Sequence, residues 1–133
     1  MIMLEMDKYY EAFNTKLIEL VNDLMGTFPE IKTDLMSIKH GINMVKNIDP
    51  KVPQGFFNDH VAIKYEPQLI SRDEQFFLDH DYSQEVTRLV HGFDLDIIGK
   101  LKYIWRDLNT DNKDAIWKYI HVLLALNRKC VGS

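Results

Sequence analysis

An all-α domain is the fold this sequence predicts, on three observations. Apolar residues recur at three- and four-residue steps along most of its 133 residues. Strict apolar–polar alternation with β-branched residues and hairpin turns does not persist anywhere. Proline and glycine fall mainly at the breaks between periodic segments. The expected architecture is one domain over residues 1–133, a compact bundle of five or six helices closing with a C-terminal helical hairpin.

The first helix is expected from about Asp7 to Met25, with Tyr10, Phe13, Leu17, Leu20, Val21 and Leu24 on one face and Gly26 placed to end it. Pro29 suits a first helical position, and Ile31, Leu35, Ile38, Ile42 and Val45 then form a narrow stripe. Asp49-Pro50, Pro53 and Gly55 mark a loop. A third helix carries Phe56, Phe57, Val61 and Tyr65 and is interrupted or restarted near Pro67. Ser71 and Glu74 have capping-box spacing ahead of a short helix through Phe76, Phe77 and Leu78.

Val86, Leu89, Val90, Phe93, Ile97, Leu101, Ile104 and Leu108 then keep helical spacing, with a bend or break allowed by Gly92. The polar run Asn109-Thr110-Asp111-Asn112 separates two similar doublets, Ile104-Trp105 and Ile116-Trp117. Asn109 or Thr110 caps the last helix, whose stripe is Ile116, Trp117, Ile120, Leu123 and Leu124, with Asn127 at its edge. The flanking isoleucines and leucines continue both stripes, so the doublets read first as the hydrophobic clasp of a hairpin.

Composition narrows the function classes. With 46% hydrophobic and 27% charged residues the chain has the makeup of a folded domain, not of a disordered one. A single cysteine, Cys130, excludes an internal disulfide and a multi-cysteine metal site, and it reads as a buried or idle thiol. Glu5 and Asp7 fall where an apolar signal segment would build up, and no stretch has the apolar length of a bilayer span. An intracellular, soluble protein is therefore expected. Residues 1–93 carry 9 basic and 15 acidic side chains and residues 94–133 carry 7 and 5, a mild asymmetry unlike a dedicated DNA-binding surface.

Several residues invite a chemical reading. Asp73, Glu74, Asp79, His80 and Asp81 are the densest set of potential metal ligands, but their spacing is not that of an EF-hand, and a helix cap followed by a solvated turn explains them. No metal or cofactor is expected. His40 and His91 each precede a glycine in a helical pattern, which evokes an exposed phosphotransfer histidine, yet neither is followed by the lysine and glycine of that motif. Nucleophile elbows, zinc-protease helices, phosphate-cradling loops and dinucleotide fingerprints are all missing from the sequence.

Three segments stand out together: Phe13-Asn14-Thr15-Lys16-Leu17 with Asp23-Leu24 and Phe28-Pro29; Asp73 through Tyr82; and Leu101-Lys102-Tyr103-Ile104-Trp105 with Ile116-Trp117-Lys118-Tyr119-Ile120. They resemble a group of short, helical, uncharacterised proteins encoded by large double-stranded DNA viruses of algae and amoebae. The resemblance implies a viral origin and an infected-cell or virion setting, and carries over no site residue.

The leading functional expectation is a non-enzymatic protein-interaction module, a viral structural, assembly or host-interaction factor. Its contact surface would include Phe76, Phe77, Tyr82, Tyr103, Tyr119, Lys102 and Arg106, with self-association a further expectation. The alternative is nucleic-acid binding through Lys100, Lys102, Arg106, Lys113, Lys118, Arg128 and Lys129. An enzymatic reading requires several of His40, Glu74, His80 and Asp81 to converge in one pocket.

Overall fold

The structure, a computed structural model, describes residues 2–82 and 96–132, and every regular element among them is helical. Helix α1 spans Ile2–Thr27 and runs through Gly26, which does not adopt the left-handed conformation of a terminating glycine. The chain turns one residue later. Phe28 precedes Pro29, so its backbone is held out of the helical region (φ −122°, ψ 72°), and its ring is buried at the corner. A 3-10 turn, Pro29–Ile31, then leads into α2, Lys32–Ile48.

The α2 stripe is buried at Ile31 and Leu35, half-buried at Ile38 and Ile42, and runs out at Val45, which is 39% exposed. Helix α3, Val52–Phe57, continues through a widened π turn, Asn58–Ala62, into α4, Ile63–Ile70. Pro67 lies inside α4, so the irregularity expected there sits one turn earlier, where the Ile63 amide donates to the Asn58 carbonyl. Helix α4 ends in a Schellman pattern: Asp73 N–H donates to Gln68 C=O, Arg72 N–H to Leu69 C=O, and Arg72 takes a positive φ of 55°.

That ending corrects the cap expected for the next helix. Ser71 belongs to the end of α4, and the cap of α5, Glu74–Asp79, is Asp73, whose side chain accepts from the Phe76 amide at 3.1 Å. Helix α6 spans Asp96–Asp107, and α7 spans Thr110–Val131. Asn109 caps α7 by accepting from the Asn112 amide at 2.8 Å, and Gly132, at φ 84°, closes it. The expected stripe positions Val86, Leu89, Val90 and Phe93, the break at Gly92, and His91 lie outside the described residues.

Helix α7 is the central element: it lies along α1 and also touches α3, the π turn and α4. Two apolar clusters form around it. One gathers Ala62, Tyr65, Leu69, Trp117 and Leu124, with Phe76, Phe77, Tyr82, Trp105 and Ile120 against them. The other gathers Val21, Phe28, Ile31 and Leu35, with Leu24, Leu101, Ile104, Leu108 and Ile116 against them. Phe13, Ile31 and Leu123 are the most completely enclosed large side chains, each contributing about 1.5–3 kcal/mol relative to exposure.

The two Ile-Trp doublets straddle these clusters. Ile104 and Ile116 enter the α1–α2 cluster, while Trp105 and Trp117 enter the α4–α5 cluster. The geometry follows from helical spacing, because neighbours on a helix are rotated about 100° apart and so face different sides. The tryptophan rings meet edge-on, centroids 5.6 Å apart at 85°. A helix pair joined through Leu108 and Asn109 does close the chain, clasped by these rings.

Candidate functional site

Where the two clusters adjoin, packing is incomplete and leaves a cavity of about 400 Å³. Leu24 and Phe28 come from the end of α1, Leu69 from α4, Phe77 and Leu78 from α5, and Tyr82 from just beyond it. Leu101 and Trp105 come from α6, and Ile116, Trp117 and Ile120 from α7. A void of this size lies within the range of small-molecule sites, and its apolar, aromatic walls have the usual character of such sites.

Among the described residues, two charged ones line the cavity, Glu74 and Lys102. Glu74 is neutralised by Lys113, whose Nζ lies 2.7 Å from the carboxylate and 5.5 Å from the centre of the Trp105 ring. Lys102 donates through Nζ to the His80 carbonyl and stands 5.2 Å from the centre of the Tyr82 ring. Among the described residues, no carboxylate pairs with Lys102.

Behind this wall lies an aromatic layer. The Tyr65 hydroxyl and His80 Nε2 are 3.2 Å apart, Phe76 stacks on His80 at 5.5 Å, and Phe77 meets Trp117 at 6.3 Å. Arg72, despite its left-handed backbone, binds Asp114 at 2.6 Å and so ties the α4–α5 corner to α7. Hydrogen bonds from Arg72 and then Lys118 hold the Asp114 carboxyl below the usual carboxylate range.

The expected contact residues are divided by this arrangement. Phe77, Tyr82 and Lys102 line the cavity, and Phe76 lies one layer behind. Tyr103, 69% exposed, and Arg106 lie on the outer side of α6. Tyr119 is elsewhere again: Lys16 Nζ lies 5.5 Å from its ring centre, and a hydrogen bond to Asp23 pushes its hydroxyl up to about 12. Cys130 is buried, and burial alone pushes its thiol up, away from the reactive thiolate.

The acidic set is dispersed into local structural tasks. Asp73 caps α5, Glu74 pairs with Lys113, Asp79 accepts from Gln75 at 2.9 Å, and His80 packs in the aromatic layer. Among the described residues, no three His, Cys, Asp or Glu side chains form a metal-holding group. His40 is exposed on α2, away from the cavity lining.

Of the basic residues weighed for nucleic acid, Lys113, Lys118 and Arg128 are paired with Glu74, Asp114 and Glu66, and Lys102 is tied to His80. Lys100, Arg106 and Lys129 are exposed. No helix among the described residues is long and apolar enough to cross a membrane. The cavity itself had no warning beyond the repeated Ile-Trp doublet, whose alternate facing creates the seam. Comparison of the chain with protein-family models, with curated proteins and with solved structures finds no match.

Proposed function

We propose that this protein is a non-enzymatic binding domain that works by enclosing an apolar group in the cavity between its two core clusters. The observation that carries the reading is the cavity of about 400 Å³ walled by Leu24, Phe28, Phe77, Leu101, Trp105 and Trp117. An apolar guest there replaces water against carbon surface, a transfer favourable by roughly 25 cal/mol per Å² of apolar surface removed from water. The ion pair Lys113–Glu74 supports the reading, because it neutralises one polar group of the lining without occupying the void.

Substituting Leu101→Trp tests it by adding bulk inside the cavity. The expected result is a loss of at least about tenfold in affinity for the neutral apolar dye Nile red, equivalent to about 1.4 kcal/mol, with helical circular dichroism retained. Unchanged dye binding in a folded Leu101→Trp variant contradicts the proposal.

A second reading, contact with another protein in a viral assembly or host-interaction role, is favoured by Tyr103 and Arg106. They are exposed one helical turn apart on α6, and such side chains are enriched at interface hot spots. Self-association through that face predicts a concentration-dependent mass in sedimentation that Tyr103→Ser abolishes.

A further inference from the structure

We infer that the cavity takes an apolar carboxylic acid, with the apolar body lying against the two tryptophans and the carboxylate held by Lys102. This rests on the reading of the cavity as a binding site and adds the chemistry of the guest. Glu74 and Lys102 are the charged residues of the lining among the described residues, and Glu74 already has Lys113 as its counter-ion.

Lys102 is different. Its known partners are a backbone carbonyl, that of His80, and the face of the Tyr82 ring, neither of which carries a compensating negative charge. Its ammonium has three donors, and the His80 carbonyl takes one. Among the described residues, the cavity wall therefore carries beside carbon surface one positive charge with no carboxylate partner. A guest that is wholly apolar leaves that charge without a counter-ion, and a cationic guest is repelled by it. A carboxylate on an apolar body satisfies both parts of the wall, because charge-assisted hydrogen bonds to an ammonium are short and strong in partly desolvated surroundings. Nothing in the lining rewards a phosphate over a carboxylate: a single lysine is available, where phosphate recognition draws on several donors.

Binding of decanoate, decan-1-ol and decylamine to the full chain tests the inference, read by the fluorescence of Trp105 and Trp117, the chain's 2 tryptophans. Decanoate is expected to bind about tenfold more tightly than decan-1-ol, the size of effect one charge-assisted hydrogen bond gives. Lys102→Met should erase that difference, and Lys102→Arg should retain it. Equal binding of acid and alcohol, or preference for the amine, overturns the inference while leaving the cavity reading intact. Failure of all three probes to bind overturns the cavity reading and this inference with it. If Lys102→Met does not fold, the comparison of the three probes on the unaltered chain still decides.

Discussion

Trp105 and Trp117 occupy matching places in two Ile-Trp doublets, yet their surroundings differ. Both line the cavity, but Trp117 is buried at 7% exposure in the α4–α5 cluster, whereas Trp105 is half-buried. Truncating the first removes a ring buried in the core; truncating the second removes a ring that is already partly exposed. Trp117→Ala is therefore expected to cost about 3–5 kcal/mol of stability, and Trp105→Ala less, about 1–3 kcal/mol. Urea denaturation of both variants measures this, and equal losses contradict the division of roles. Both tryptophans were legible in the sequence as packing residues from the stripes around them. Their inequality was not, because exposure at a helix position depends on what the facing helix supplies.

At the scale of elements, α3 and α7 are held together by a polar ladder inside the core. Gln54 Nε2 donates to Asn127 Oδ1 at 2.7 Å, and Asn127 Nδ2 donates to Asn58 Oδ1 at 3.0 Å. Gln54 and Asn127 are each 5% exposed, and Asn58 opens the π turn. The side chain of Asn127 thus bonds Gln54, ahead of the widened turn, and Asn58, which opens it, and fixes where α7 sits along α3. Asn127→Ala leaves Gln54 with a buried unpaired group, so a loss of about 1–3 kcal/mol is expected. The double substitution Gln54→Leu with Asn127→Leu should be far less costly than the sum of the two single ones, because it removes both polar groups together. Chemical denaturation of the four proteins in that cycle gives the coupling, and simple additivity contradicts it.

The helices themselves were largely legible, since stripes such as Phe13–Val21–Leu24 and Trp117–Ile120–Leu124 follow from helical periodicity alone. The misplacements are local and have physical causes. Gly26 is passed over because Phe28, buried beside Pro29, makes the turn instead. The capping task moved from Ser71 to Asp73 because α4 ends in a left-handed residue at Arg72, which delays the next helix start by two positions. Asn127 read as the edge of a stripe and is instead a buried hydrogen-bonding partner, a role that depends on Gln54 and Asn58, far away in sequence.

At the scale of the whole molecule, the chain builds two apolar clusters on either side of α7 and leaves a space where they adjoin. A space of about 400 Å³ with apolar walls leaves carbon surface in contact with water, and filling it removes that surface from water. No sequence pattern announces such a space, because it is the mismatch between two surfaces, each of which follows its own periodicity correctly. Lys102 was legible as a candidate contact residue, but that no carboxylate among the described residues pairs with it is visible only when α5 and α6 are brought together.

The proposed binding role requires this space to be apolar and able to accept a guest. Crystals of the protein pressurised with xenon test it most directly, since xenon enters dry apolar cavities and is seen as strong electron density. The expected result is xenon between Leu101, Trp105 and Trp117, lost in Leu101→Trp. A cavity that has collapsed, or that holds ordered water and no xenon, contradicts the account.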